Sequence, residues 1–137
     1  MREVKASGKI FLIATGIIDI IMGGLAALLA SFGLQDSSFW ADVEQLYPPI
    51  VVLILGLWSF VIGLYAIAYC SSLEKSKLLR TFGSIDFLLC VVGLIIRSFT
   101  WINFVGIGIQ LLYWYGAYKN LCCFKKTKNN NLKEFIL

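Results

Sequence analysis

Four long apolar segments constrain this chain more than any other feature of its sequence. A helix needs about 20 mostly apolar residues to cross the hydrocarbon core of a bilayer. The segments are continuously apolar, whereas the strands of a membrane barrel alternate apolar and polar residues. The sequence therefore predicts an all-α polytopic membrane protein, a bundle of four transmembrane helices. The predicted helices span approximately residues 10–30, 50–69, 78–96 and 101–118.

The composition supports this class. Of 137 residues, 59% are apolar and 15% are charged, whereas about a quarter of the residues are charged in an average soluble domain. The first segment is longer than the apolar region of a signal peptide, about 7–15 residues, and it contains Asp19. We therefore expect a transmembrane helix there rather than a cleaved signal. The length permits one domain, with the transmembrane part at residues 10–121.

The positions of Lys and Arg predict the orientation of the helices, because cytoplasmic loops carry an excess of basic residues. The predicted cytoplasmic parts are the N-terminus (residues 1–9), the second loop and a basic tail (residues 122–137), and the predicted location is the cell membrane. The basic residues are expected to face anionic lipid headgroups, and no basic stripe indicates nucleic-acid binding. The three clusters are Arg2, Lys5 and Lys9; Lys75, Lys77 and Arg80; and Lys119, Lys125, Lys126, Lys128 and Lys133.

The predicted external loop, residues 31–47, has two interpretations. Its apolar residues recur at helical spacing among acidic ones, which fits a short amphipathic helix on the outer leaflet. An ordinary loop with aromatic residues at the headgroup level fits about as well. The polar segment from Lys125 to Asn131 is expected to be disordered. The apolar loop residues are Phe39, Trp40, Val43, Leu46 and Tyr47.

An internal similarity indicates a duplication. Gly16-Ile17-Ile18-Asp19 in the first helix matches Gly83-Ser84-Ile85-Asp86 in the third, at an offset of 67 residues. The second and fourth helices both end in segments rich in Tyr, Gly and Ala. The chain therefore reads as a tandem repeat of a two-helix hairpin, with both copies inserted in the same orientation.

The two aspartates share helix faces with small residues. Small residues beside a polar one let another helix approach closely, and the polar group then bonds across the contact. Asp19 and Asp86 should therefore point into the bundle, and Gln110 should do the same on the fourth helix. The glycines predicted to pack helices together are Gly16, Gly23, Gly56, Gly63, Gly83, Gly93 and Gly106.

Two explanations for the intramembrane acids remain open. A carboxylate near the bilayer midplane costs at least ~2.5–3.5 kcal/mol unless it is protonated or partnered. In the structural explanation, the acids form hydrogen bonds that hold neighbouring helices together. In the functional one, Asp19, Asp86 and Gln110 belong to a proton or cation site. The possible hydrogen-bond partners are Thr15, Ser59, Ser84, Gln110 and Tyr113.

The chain lacks histidine, the commonest general base and metal ligand. The four cysteines lack the spacing of a zinc site, so neither a metal nor another cofactor is expected. No nucleophile–base pair or phosphate-binding loop indicates an enzyme. Adjacent cysteines beside lysines fit either lipidation or plain reduced thiols at the inner interface. The cysteines are Cys70, Cys90, Cys122 and Cys123.

Three segments carry a resemblance: Gly63-Leu64-Tyr65, Leu73-Glu74-Lys75-Ser76-Lys77, and Tyr113 to Asn120. Between about residues 50 and 120 the chain resembles a loose group of uncharacterised small four-helix integral membrane proteins from Gram-positive, clostridial-type bacteria. In that group a Gly-containing helix end, a short Lys/Glu loop and a closing Gly-Ala…Lys-Asn segment recur. The resemblance implies the four-helix layout, but it implies no known activity and carries over no functional residues.

Two functions follow from these features. The first is a non-enzymatic membrane subunit that acts by association, in an accessory, regulatory or immunity-type role. Its partners would be the lipid bilayer and either further copies of the chain or another membrane protein. The alternative is a small proton- or cation-coupled transporter that uses Asp19 and Asp86.

Overall fold

The computed structural model describes residues 6–36, 48–97 and 101–134. Within these ranges all regular structure is helical and no strand occurs, which confirms the predicted all-α class. The four helices are α1 (Lys9–Gln35), α2 (Pro49–Tyr69), α3 (Ser76–Arg97) and α4 (Trp101–Glu134).

Local sequence accounts for where α2 and α3 begin and for where α2 ends. Pro49 opens α2, a position where the missing N–H of proline costs no hydrogen bond. The turn after α2 is closed by backbone bonds from Cys70 to Ile67 and from Ser72 to Tyr69. The hydroxyl of Ser76 then donates to a carbonyl of this turn as α3 begins. The connection is short, so α2 and α3 are joined as neighbours.

The helices form a four-membered bundle in which sequential helices run in opposite directions. The largest contact is between α1 and α2, followed by α3 with α4 and α1 with α4, and the contact between α2 and α3 is small. Gly16 lies against Gly63, and Gly23 lies against Gly56, so positions rise along one helix as they fall along the other. The two hairpins are therefore the principal packing units, and α1 and α4 join them.

The bundle has an apolar exterior and a partly polar interior. Leu28 and Leu88 have 61% and 62% of their surfaces exposed, whereas Asp19, Asp86 and Gln110 are buried. In water this arrangement would expose a large continuous apolar surface, which soluble monomers rarely do. In lipid it is ordinary, because lipid tails are as apolar as the side chains that face them.

Among the described residues, two helices, α1 and α2, are long and apolar enough to cross a membrane. Only 28% and 22% of their apolar windows are buried, whereas the core helix of a soluble protein would be mostly covered. These two helices therefore indicate association with a membrane.

Helix ends differ from the predicted ones at two places. Helix α1 continues to Gln35, five residues past the predicted end, and α4 continues to Glu134. The prediction of a disordered tail from Lys125 to Asn131 is therefore wrong. No Pro or Gly follows Gly116 to stop the helix, and Lys, Leu and Glu are good helix formers. Most of the predicted external loop, residues 37–47, lies outside the described residues.

Candidate functional site

A buried group of polar side chains lies in the interior of the bundle, and we call it the polar cluster. Its members are near one another, because Gln110 is hydrogen-bonded to Asp19 and the Tyr113 ring packs against Gly83, one helical turn before Asp86. Asp19, Asp86 and Gln110 are 4–5% exposed, and Tyr113 is fully buried. All four helices contribute, since α2 supplies Trp58. The polar cluster consists of Asp19, Trp58, Asp86, Gln110 and Tyr113.

Glycine contacts bring Asp19 into the interior. A methyl group added to Gly16 would lie 2.9 Å from the carbonyl oxygen of Gly63, and one added to Gly23 would lie 2.6 Å from that of Gly56. Helix α1 therefore lies directly on the backbone of α2. Because Asp19 is three residues after Gly16 and four before Gly23, it shares their inward face.

Asp86 reaches the interior by a different contact. It lies three residues after Gly83, and a methyl group at Gly83 would lie 2.7 Å from the ring of Tyr113. The missing side chain at Gly83 thus leaves room for an aromatic ring from α4. Gln110 precedes Tyr113 by three residues and therefore occupies the same face of α4.

Asp19 and Asp86 each interact with a residue of the opposite hairpin. The Gln110 amide donates a hydrogen bond from Nε2 to Oδ1 of Asp19, at 3.2 Å. The indole of Trp58, from the first hairpin, lies close enough to Asp86 to act on its carboxyl group. The Trp58 N–H does not reach hydrogen-bonding geometry with any described acceptor. Asp19 is therefore hydrogen-bonded to the opposite hairpin, whereas Trp58 lies near Asp86 without forming a hydrogen bond.

Five buried polar atoms of the polar cluster have no hydrogen-bond partner among the described residues. Buried polar groups are normally paired, so each exception calls for an explanation. Four of these atoms are oxygens and one is an indole nitrogen. No Lys or Arg of the described chain forms an ion pair with either aspartate. The atoms are Asp19 Oδ2, Asp86 Oδ2, Gln110 Oε1, Tyr113 Oη and Trp58 Nε1.

Counting donors against acceptors shows what the polar cluster lacks. Two ionised carboxylates bring acceptors only. The donors are the two N–H groups of Gln110, one N–H of Trp58 and one O–H of Tyr113. These four donors face six side-chain oxygens of the polar cluster, and no described basic side chain balances the charge of two ionised carboxylates. The arrangement can hold protons on the carboxyl groups, or a hard cation, which takes oxygen ligands.

The structure brings Asp19, Asp86 and Gln110 together, as the inward-facing pattern predicted. Two of the proposed partners are engaged elsewhere: the hydroxyl of Thr15 donates to Phe11, and that of Ser84 donates to Arg80. Both bonds lie within the residue's own helix.

The predicted packing glycines divide into three groups. Gly16, Gly23, Gly56, Gly63 and Gly83 all make close contacts with a neighbouring helix. Gly106 has no described atom within 4 Å of the position a methyl group would take, so its predicted role in packing is not seen. The inward face of α4 that carries Gln110 and Tyr113 is therefore packed at those residues but not at Gly106. The surroundings of Gly93 lie outside the described residues.

Asn120 is a buried polar residue that no pattern in the sequence identified as part of a site. Its side-chain oxygen accepts a hydrogen bond from the backbone N–H of Gly8 at 2.7 Å, and its Nδ2 donates to the carbonyl of Cys70 at 3.0 Å. It thereby satisfies an orphan N–H at the start of α1 and a carbonyl at the end of α2. In the sequence, Asn120 stood out only as the last residue of the segment Tyr113 to Asn120, which carries part of the resemblance.

No group of three or more His, Cys, Asp or Glu side chains that could hold a metal ion occurs in the described ranges. None of Cys70, Cys90, Cys122 and Cys123 forms a disulfide. The polar cluster therefore has two carboxylates and neutral oxygens, a set suited to a proton or a hard cation rather than to a thiophilic metal.

Comparison with known proteins gives no relative: no protein-family model, no curated protein and no solved structure matches the chain.

Proposed function

We propose that this chain is a non-enzymatic, four-span integral membrane protein that binds protons or a small cation at the polar cluster and couples this binding to transport. The observation that carries the proposal is the meeting of Asp19 and Asp86 inside the bundle without a basic partner. Intramembrane acids that face a bundle interior mark ion or proton sites in many membrane proteins.

Crossing by all four helices is supported by the surfaces of α3 and α4. Leu88 on α3, and Phe104 and Leu111 on α4, are each about half exposed or more. Helix α4 packs against both α1 and α3, which would place it in the same apolar layer as α1. We therefore propose that α3 and α4 span the bilayer beside α1 and α2.

The orientation, with both termini in the cytoplasm of a cell membrane, is supported by where basic residues meet. Lys119 lies 5.5 Å from the ring centroid of Phe11, and Arg80 lies 5.1 Å from that of Trp114. Arg80 of α3, Lys119 of α4 and the start of α1 thus lie at one end of the bundle, and Arg97, the last residue of α3, lies at the other. Such a one-sided distribution is what the positive-inside rule requires.

The proposed site has named roles for its residues. The two aspartates supply the charge, and the free oxygens of Gln110 and Tyr113 complete a set of oxygen ligands. The hydrogen bond from Gln110 to Asp19 orients that carboxyl group. Because each hairpin contributes one acid, a bound proton or cation would hold the two hairpins together, and its release would let them separate.

A second candidate is the association-type subunit of accessory, regulatory or immunity type. The small contact between α2 and α3 favours it, because it leaves these two helices less covered by each other than the other sequential pairs. In this reading the polar cluster is structural, and the partner is a second copy or another membrane protein.

The test compares Asp19→Asn, Asp86→Asn and the double variant with the wild type, and uses Glu74→Gln, an exposed carboxylate outside the polar cluster, as the control. Thermal unfolding is followed while Na⁺, K⁺ or Ca²⁺ replaces an inert organic cation at constant ionic strength, and again across pH. A ligand at about 100 times its Kd stabilises the folded state by about 2.7 kcal/mol. We expect stabilisation in the wild type and in Glu74→Gln, and its loss in the aspartate variants.

Flux across proteoliposomes then separates the two candidates. Assembled double variants that lose a wild-type flux would rule out a purely structural role. A wild type with neither stabilisation nor flux under any imposed gradient would contradict the proposal and leave the association-type subunit. Reporter fusions in the first loop and at the C-terminus test the topology, and an external C-terminus would overturn the proposed orientation.

A further inference from the structure

A groove of about 560 Å³ lies between α3 and α4, near the turn that joins α2 to α3. Lys77 and Arg80 from α3 and Lys125 from α4 line it. Leu121 and Phe124 contribute apolar side chains to the same groove. It is separate from the polar cluster, because none of its lining residues belongs to that group.

The groove carries an excess of positive charge. Its three basic side chains face a single acidic residue, Glu74. None of these four side chains forms an ion pair within the part of the chain that the structure describes. The positive charge therefore remains available to an anion from outside the chain.

Arg80 is held in a defined position within the groove. Its guanidinium carbon lies 5.1 Å from the ring centroid of Trp114 and 5.8 Å from that of Tyr118. These two rings stack with an interplanar angle of 3°. A guanidinium group on an aromatic face keeps its N–H edge free, and that planar edge matches two oxygens of a phosphate group.

The level of the groove places it at the headgroup region of a bilayer. Lys77 precedes Asp86 by nine residues, so it lies about 13.5 Å nearer the end of the bundle at 1.5 Å per residue, close to the edge of a hydrocarbon core about 30 Å thick. Arg80 lies one turn deeper, about 9 Å from the level of Asp86, and its long side chain can extend toward the headgroups. Trp and Tyr are enriched at this level in membrane proteins, and Trp114 and Tyr118 flank the guanidinium. Beyond the groove, toward the polar cluster, Ile85 and Leu88 on α3 are exposed and provide an apolar surface for acyl chains.

We propose that the groove binds the phosphate group of an anionic phospholipid, with Arg80 as the principal ligand and Lys77 and Lys125 as supporting charges. The lipid headgroup would lie between α3 and α4, and its acyl chains would follow the exposed face of α3. This inference rests on the part of the proposed function that places α3 and α4 in the bilayer, and it does not depend on a cation at the polar cluster.

The experiment measures lipid retention by the full-length protein. The wild type is reconstituted in phosphatidylcholine vesicles, with and without phosphatidylglycerol, and the retained lipids are counted by native mass spectrometry after gentle extraction. The test variants are Arg80→Gln and the double variant Lys77→Gln/Lys125→Gln. The control is Lys119→Gln, a cation that lies over Phe11 and Tyr115 outside the groove. Inorganic phosphate is added in a separate arm to compete with the lipid.

We expect the wild type to retain phosphatidylglycerol in preference to phosphatidylcholine. Arg80→Gln should lower the apparent affinity about tenfold, because it removes a charge-assisted, two-point contact. Each lysine of the double variant should contribute about fivefold. Lys77 and Lys125 are exposed, so their removal should leave the fold intact even if Arg80→Gln does not. Lys119→Gln should retain lipid as the wild type does.

Equal losses in the groove variants and in Lys119→Gln would overturn the proposal in favour of general surface charge. Retention of both lipids alike would show that the groove does not select an anion. Displacement by millimolar inorganic phosphate would identify a soluble phosphate as the ligand and overturn the lipid assignment. A wild type that fails to insert in plain phosphatidylcholine would instead contradict the four-span proposal, so the two failures are distinguishable.

Discussion

The two hairpins start from similar sequence and pack in different ways. In the first, α1 and α2 meet backbone to backbone, with Gly16 on Gly63 and Gly23 on Gly56. In the second, the contact at the matching position is between Gly83 and the ring of Tyr113. A shared Gly-x-x-Asp pattern therefore brings both aspartates inward, but one lies beside a helix backbone and the other beside an aromatic side chain.

This difference shows that a glycine before an acid permits a neighbouring helix to come close, whereas the facing residue determines the contact that forms. Absence of a side chain permits close approach, and the residue on the facing helix decides what fills the space. On α2 that residue is another glycine, so the helices touch. On α4 it is Tyr113, which also brings a hydroxyl group toward the aspartates. The first hairpin is thus a packing unit, and the second supplies most of the polar cluster.

The largest expected effect compares a glycine at the backbone contact of the first hairpin with Gly106 of the second, which has no described atom within 4 Å of its Cβ position. Gly63→Ala should lower the free energy of unfolding by about 3 kcal/mol, since its methyl group would lie 2.6 Å from the carbonyl oxygen of Gly16 and overpacking is costly. Gly106→Ala should leave it unchanged or raise it by up to about 1 kcal/mol, because alanine favours a helix. Unfolding by SDS titration in mixed micelles, followed by circular dichroism, measures both. Equal losses would contradict the difference between the hairpins.

The next effect concerns the contact that joins the hairpins at one end. Asn120→Ala removes two hydrogen bonds and leaves the Gly8 N–H and the Cys70 carbonyl without their partner. We expect a loss of about 2 kcal/mol, because unsatisfied buried polar groups are expensive. Cys122→Ala, an exposed neighbour on the same helix, is the control. Equilibrium unfolding measures the difference, and an Asn120→Ala protein as stable as the control would show that water replaces the side chain.

A smaller difference in stability is expected between variants of the two residues that contact the aspartates, Gln110 beside Asp19 and Trp58 beside Asp86. Gln110→Leu removes the hydrogen bond to Asp19 and should destabilise the fold by about 1.5 kcal/mol. Trp58→Phe removes an N–H that makes no hydrogen bond with a described acceptor, so we expect a change below about 0.5 kcal/mol from that group. The two variants are compared by thermal unfolding in one detergent. If Trp58→Phe costs as much as Gln110→Leu, the indole N–H contributes more than its geometry indicates.

The smallest expected effect concerns the reactivity of the cysteines. It leaves the fold unchanged and measures which thiol groups a reagent can reach. Cys122 is exposed, and Cys70 is 7% exposed. A charged maleimide should therefore modify Cys122 in the folded protein and reach Cys70 only after unfolding, as mass spectrometry of single-cysteine variants would show. With a cytoplasmic C-terminus, Cys122 in intact cells should react only after permeabilisation. Rapid labelling of Cys70 in the folded state would contradict its place in the core.

Sequence by itself determined the all-helical class and the inward direction of Asp19, Asp86 and Gln110. Both follow from local properties, because the length of an apolar run and the spacing of small residues on a helix face do not depend on the rest of the chain. The same local reasoning failed for the tail, where the end of α4 depends on the absence of a breaker rather than on apolar character.

Tertiary structure decided which side chains meet. The rotation and tilt of each helix are set by contacts such as Gly16 with Gly63, and these determine that both aspartates share one polar cluster. Asn120 and Arg80 acquired their surroundings in the same way, from residues far apart in the chain. A pattern within one helix identifies its inward face, and only the packed bundle identifies what that face contacts.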